Sequence, residues 1–359
     1  MKDISRRGVL RAAGLVAAGV SVVSLGAVAG PAQAGATATA GATATAGLTA
    51  TAGVTATGRT CEMGTLPVPA DTYRSEAVAV DPSGRYIAGS AIVRQDEDSF
   101  PLLLWDGEQL TELDVPLSDP VVVDVNSGGV VIGNGHDGSM PRPWRYRAGV
   151  AELLPLIEKA DQVTVEGINS RGDIVGVGRT PEGVAYALLW PAARPGTVRV
   201  VDTPAALLDV VGITDNGTVV GLSGSYFDPT SWLRKPAGAV RILTAPDDVA
   251  AATVSAVGGH WAVGQMFHGG VLVGLRWDLR TGGVTALDPG LDSAPTDVNA
   301  RGVVLAGTTL QRGGTVVTLP SPSWNEPVGG HAIADSGTVV GFHNNRLPGG
   351  VRGVRWTGC

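Results

Sequence analysis

From about Ala77 to the C-terminus the apolar positions fall in short runs, and the runs recur as a unit. Each copy begins with a β-branched run that ends on Asn, Asp or a small residue, followed by a Gly-containing turn. A second apolar run ends in Gly, then comes an aromatic strand that usually carries Trp, then a short apolar strand followed by Pro. The terminal glycines of the second run are Gly89, Gly133, Gly176, Gly221, Gly264, Gly307 and Gly341. A period of forty-odd residues built only from strand-length patterns predicts a radial array of small sheets. The expected fold is all-β, a seven-bladed β-propeller of mostly four-stranded antiparallel blades.

Position by position, the copies agree. The last residue of the first strand is Val80, Val125, Ile168, Ile213, Val257, Val298 or Ile333, a β-branched aliphatic every time, suited to a packed pleated surface. The position before it is small in five copies and aspartate in two, Asp124 and Asp297. Turns such as Asn126-Ser127-Gly128-Gly129 and Asn169-Ser170-Arg171-Gly172 supply residues that tolerate left-handed backbone. The third strand is marked by Trp105, Trp144, Trp190, Trp232, Trp277 and Trp356, read as equivalent positions. One copy lacks its tryptophan: Trp277 and Trp356 are nearly two periods apart, and little room lies between Gly307 and Thr315. The sixth blade is therefore expected to be short or irregular.

The seventh copy stops at Trp356-Thr357-Gly358-Cys359, without a fourth strand. An apolar segment, Leu66-Pro67-Val68-Pro69, stands unused before the first copy. Pairing this N-terminal segment with the last strand would close the ring and bring Cys61 beside Cys359, the only two cysteines. A disulfide between them is expected in an oxidising compartment.

The N-terminal residues point to such a compartment. Ser5-Arg6-Arg7-Gly8-Val9-Leu10 resembles a twin-arginine motif, an apolar segment follows, and Ala32-Gln33-Ala34 forms an A-x-A cleavage site. Residues 1–34 are thus read as an export signal. Residues 35–58, four near-copies of a Gly/Ala/Thr hexapeptide, are read as a low-complexity linker that cannot offset its ordering entropy by burial. Residues 59–359 form the propeller domain. The chain carries net charge -7. Residues 1–34 hold four basic side chains and one acidic, so the remainder carries -10. That balance disfavours nucleic acid and anionic lipid as partners. A secreted monomer, with no membrane association after signal cleavage, is expected.

With these residues in view, the repeat resembles the HAF family of extracellular repeats, whose units run A-x-x-I-N-x-x-G-x-V-V-G before an aromatic strand. The resemblance is clearest in Glu166-Gly167-Ile168-Asn169-Ser170-Arg171-Gly172-Asp173-Ile174-Val175-Gly176, continuing to Ala187-Leu188-Leu189-Trp190. It is also good in Ala332-Ile333-Ala334-Asp335-Ser336-Gly337-Thr338-Val339-Val340-Gly341. The resemblance implies a secreted, propeller-like protein and brings no catalytic residues with it.

In a four-stranded blade the loops entering the first strand and joining strands two and three share one rim. The Asx-Gly turns share the other. The first rim then collects the candidate ligand residues Tyr73, Arg74, Glu76, Arg179, Tyr226, His331 and His343, with Asp124, Glu166 and Asp297 reaching in from inner strands. Aromatic and Arg side chains around a concave mouth suit a protein or a glycan. No catalytic residue and no cofactor is assigned. Two metal possibilities stand beside this reading. His331 and His343 flank a hairpin turn almost symmetrically and could share a transition metal. The acidic cluster at Arg94-Gln95-Asp96-Glu97-Asp98 could take Ca²⁺, although it lacks the D-x-D-x-D-G pattern. No G-x-S-x-G occurs, so a nucleophilic hydrolase finds no support. The expected function is a non-catalytic extracellular binding module for a protein or glycan. The alternatives are a glycan-active hydrolase or lyase with carboxylate and His residues at the mouth, and a structural envelope protein.

Overall fold

The computed structural model describes residues 61–94, 99–246, 252–323, 326–345 and 350–359. The signal and linker segments, residues 95–98 of the acidic cluster, and Trp324 lie outside the described residues. Among those described there is no helix, and the alternating runs form seven four-stranded antiparallel sheets. Blade 1 comprises Thr72–Val80, Tyr86–Val93, Leu102–Asp106 and Gln109–Leu113. Blade 2 comprises Ser118–Val125, Val131–Asp137, Met140–Arg147 and Val150–Leu153. Blade 3 is Gln162–Ile168, Ile174–Arg179, Ala185–Trp190 and Arg199–Val201. Blade 4 is Leu207–Ile213, Val219–Ser225, Asp228–Arg234 and Val240–Ile242. Blade 5 is Ala252–Gly258, Trp261–His268, Val271–Asp278 and Val284–Ala286. Blade 6 is Asp297–Val298, Val304–Ala306, Thr309–Arg312 and Thr315–Thr318. Blade 7 joins Val328–Ile333, Val339–Asn344 and Val351–Thr357 to the N-terminal strand Glu62–Thr65, which pairs antiparallel with the last strand of the chain. This is the expected seven-bladed propeller.

The ring closes by mixing the two ends of the chain, through Glu62–Thr65 and not the expected Leu66–Pro69, which follows it, and the Cys61–Cys359 disulfide covers a sequence separation of 298 residues at that seam. On the chain-entropy account a loop so long contributes up to about 5 kcal/mol. The sixth blade is short, as expected, with strands of two, three, four and four residues. It nevertheless keeps its third strand, Thr309–Arg312, so the missing tryptophan does not mean a missing strand.

Each of the seven apolar clusters lies between two consecutive blades rather than inside one. Between blades 1 and 2, for example, Ala79, Leu102 and Leu104 meet Val122, Val125 and Tyr146. A sheet can bury both faces only against neighbours, so the ring is the unit that folds. The cluster between blades 5 and 6 is the smallest, with five buried members, because the short sixth blade offers fewer side chains.

A β-bulge interrupts the inner strand at the same place in six blades, falling at Val78, Val123, Glu166, Val211, Ser255 and His331. The bulge explains the recurring terminal glycine of the second strand. A Cβ at Gly176 would stand 2.0 Å from the carbonyl oxygen of Thr164, a distance no side chain survives.

Register also sorts the tryptophans, and here the structure corrects the sequence reading. The β-branched residue at or next to the end of each inner strand (Val80, Val125, Ile168, Ile213, Val257, Val298 and Ile333) heads a ladder row that ends on the third strand, and that third-strand residue is Trp105, Tyr146, Trp190, Arg234, Trp277, Gln311 and Trp356 in blades 1 to 7. Trp144 and Trp232 are not members of this row; they pair instead with Gly133 and Gly221, two residues further along. The four row tryptophans each donate Nε1–H to the chain leaving the preceding blade, at Pro67, Pro155, Thr244 and Pro320, with N···O distances of 2.6 to 2.9 Å. Trp232 cannot reach such a carbonyl, and its buried Nε1 has no partner among the described residues.

Candidate functional site

The two rims of the ring are built differently. On the turn rim the recurring Asn does two jobs at once. Asn169 accepts backbone N–H bonds from Arg171 and Asp173 through Oδ1, which closes its own turn, and donates Nδ2–H to the carbonyl of Thr214 in blade 4. Asn126 does the same for its turn and for Asn169 of blade 3, and Asn299 for Ala334 of blade 7. Blade 5 has no Asn here. Its Gly258 instead approaches blade 6 so closely that a Cβ would lie 1.8 Å from the carbonyl oxygen of Val298. A backbone bond from Ser336 to Pro82 links blade 7 to blade 1. The turn rim is thus tied together by its own polar groups.

Asp124 and Asp297 serve the same end. Asp124 accepts the N–H of Ile168 in blade 3 (3.2 Å), and Asp297 accepts that of Ile333 in blade 7 (2.8 Å). Each also accepts from its own following residue, Val125 or Val298. Their carboxylates bridge consecutive inner strands. Glu166, at the bulge of blade 3, accepts from the hydroxyl of Thr164. His331, at the bulge of blade 7, places Nδ1 3.0 Å from the carbonyl oxygen of Ala77 in blade 1 and its ring 5.5 Å from Phe342. Asp124, Glu166, Asp297 and His331 stand on four different blades. Among the described residues no group of three or more His, Cys, Asp or Glu side chains is arranged to hold a metal.

His331 and His343 are not cross-strand neighbours. Opposite His343 stands Val328, because the bulge and the intervening glycines displace His331 along the ladder. His343 is buried and its Nε2 meets Glu326 at 2.9 Å. The shared-metal geometry read from their spacing is not formed.

The remaining candidates reach the loop rim. Tyr73 is half-exposed beneath the guanidinium of Arg94, 3.8 Å from its ring centroid, and its carbonyl accepts from Arg352. Arg74 and Glu76 form an exposed ion pair. Arg179 donates to the carbonyl of Leu208 in blade 4 at 2.9 Å. Tyr226 is half-exposed and meets Phe227 edge to face, 5.7 Å between centroids.

Two features escaped the sequence reading. Asp209 sits on the inner strand of blade 4 in the ladder position occupied by Glu76 and Thr164 in blades 1 and 3, and burial pushes its carboxyl above the ordinary range. Its bond from the Val210 amide and the nearby Arg179 charge oppose that rise. The second feature is a set of apolar hairpin tips. Tyr226 and Phe227 form the tip of the second hairpin of blade 4, with Phe227 93% exposed. On adjacent blade 5, Phe267 (65% exposed) pairs across the hairpin with Leu272 (48%). The sequence placed Tyr226 on this rim, but the exposure of Phe227, Phe267 and Leu272 was not legible, since a strand-end Phe is as often core.

Comparison with known proteins bears on the fold alone. No family model and no curated protein sequence matches the chain. Among solved structures it is similar to the β-propeller domain of the Trilobed protease from Pyrococcus furiosus, a domain with an open velcro topology. That match has 8% identity and TM-score 0.55, covering 81% of this chain and 94% of that one. It is similar also to a catalytically inactive virginiamycin B lyase from Staphylococcus aureus with quinupristin (12% identity, TM-score 0.54, covering 83% and 99%). A TolB from Acinetobacter baumannii gives 14% identity and TM-score 0.44 over 80% of this chain, which spans 65% of that one. The class is therefore a β-propeller, with an N-terminal strand and a disulfide closing its seam.

Proposed function

We propose that the chain is a non-catalytic extracellular binding module that engages a protein partner through its loop rim. The observation that carries this reading is the cluster of exposed Tyr226, Phe227, Phe267 and Leu272 on adjacent hairpin tips of blades 4 and 5. Large apolar side chains held on short hairpins give contact area at low entropic cost, and grouped exposure of this kind marks interaction surfaces. An oxidised Cys61–Cys359 pair suits an exported protein, in keeping with the signal-like N-terminus. The inner-strand carboxylates Asp124 and Asp297 are occupied by backbone N–H groups of the next blade, which favours a structural role for them over general acid–base work.

The test is affinity capture from culture medium and envelope extract, with the full chain and its Phe227→Ala/Phe267→Ala variant compared at equal folded concentration. A protein retained by the parent and lost from the variant supports the reading. Retention that ignores both substitutions, or a soluble glycan captured in place of a protein, overturns it.

A further inference from the structure

Four of the seven ladder rows described above end in an indole that wedges against the preceding blade. In blade 4 the indole's place is taken by Arg234, opposite Val219. A guanidinium fills less of the gap, and a cleft of roughly 90 Å³ lies between blades 3 and 4 on the turn rim. Its floor is apolar, made by Leu189, Val201, Ile213 and Val219. Three guanidiniums line it, those of Arg171, Arg199 and Arg234, against one carboxylate, Asp173.

We propose that this cleft binds a small organic anion, an apolar group bearing a carboxylate or sulfonate-type oxyanion. Arg171 is matched by Asp173 at 2.8 Å. Arg199 makes no ion pair among the described residues. Arg234 is mostly buried, its Nε has no partner among the described residues, and its one ion pair, 3.3 Å to Asp202, is to a carboxylate 88% exposed to water. One guanidinium thus remains without an ion pair among the described residues, and a second is paired only with a solvent-exposed carboxylate, over an apolar floor in a chain whose net charge is -7. A partly desolvated guanidinium fork is matched by the two oxygens of an oxyanion, and the low-dielectric walls strengthen that attraction. The apolar floor selects an anion with a hydrocarbon body over inorganic phosphate or sulfate. The site lies on the rim opposite the proposed protein-binding tips and stands independently of them.

The experiment titrates the full chain with 4-methylbenzenesulfonate and with its neutral counterpart, 4-methylbenzenesulfonamide, by calorimetry at low salt. The sulfonate is expected to bind about tenfold more tightly than the sulfonamide, and to weaken as salt rises. Arg234→Trp restores the residue that the row carries in blades 1, 3, 5 and 7, and should fill the cleft and cut sulfonate affinity by about tenfold or more. Arg199→Gln changes an exposed side chain with no ion pair among the described residues, so it remains informative should Arg234→Trp fail to fold; its expected loss is about threefold. Equal affinities for the two probes, no sulfonate binding by the parent chain, or affinity untouched by Arg199→Gln would each overturn the proposal.

Discussion

The turn rim and the loop rim come from the same repeating unit, yet they spend their polar and apolar groups in opposite ways. On the turn rim, Asn126, Asn169 and Asn299 each close their own turn and donate to the next blade, so the side chains that recur in sequence are consumed by the ring itself. On the loop rim the hairpin tips share no such pattern, and blades 4 and 5 leave Tyr226, Phe227, Phe267 and Leu272 in solvent. A side chain that recurs from blade to blade has a geometric task in the ring. One that appears in only one or two blades is free to meet a partner.

The comparison can be broken first at the seam. Replacing both cysteines (Cys61→Ser/Cys359→Ser) should cost about 2–5 kcal/mol, read as a lower denaturation midpoint that the parent chain reproduces under reductant. Next is Asn169→Ala, which strips a buried side chain from two turn amides and one neighbouring carbonyl. About 2–4 kcal/mol is expected, because buried polar groups would lose their partners. Partner capture by the folded fraction should be unchanged. Phe227→Ala inverts that pattern: stability should stay within about 0.5 kcal/mol, as for a surface substitution, while capture is lost. A variant that loses both would show that the rims are not separable.

The smallest expected effect concerns Asp209. Burial raises its carboxyl in the folded chain, so the unfolded chain releases this proton first as pH rises. The stability linked to the protonated group is present below about pH 4, the ordinary carboxylate range, and is lost as pH climbs through the raised value. Asp209→Asn keeps an oxygen for the Val210 amide and removes that loss. Its melting temperature should exceed the parent's at neutral pH, and the two should converge in acid.

Much of this was legible in the sequence, for reasons the structure makes plain. The terminal Gly of the second strand is required in six blades by a carbonyl beside the inner-strand bulge, the turn Asn by the relay, and the paired cysteines by the seam. The tryptophans were harder. Trp232 follows Gly221 by 11 residues and Trp277 follows Gly264 by 13, across two-residue hairpins of equal length, so one indole faces its glycine and the other the preceding blade. Counting those two residues would have separated the classes. It would also have placed Arg234 in the indole row. The histidine pair failed for a related reason. Symmetry about a turn assumes a regular ladder, and the inner-strand bulge at His331 removes it. Tyr226 was legible as a rim residue, but the exposure of Phe227, Phe267 and Leu272 beside it was not, since it depends on what the neighbouring blades leave uncovered.

The central claim is that protein binding belongs to the loop rim and not to the turn rim, whose recurring polar groups hold the ring together. It is tested most directly by placing a photo-crosslinking amino acid at Phe227 and, separately, at the exposed turn residue Ser170, in cells that make the protein. The account predicts a discrete protein adduct from position 227 and none from position 170. Adducts from position 170 alone would contradict it.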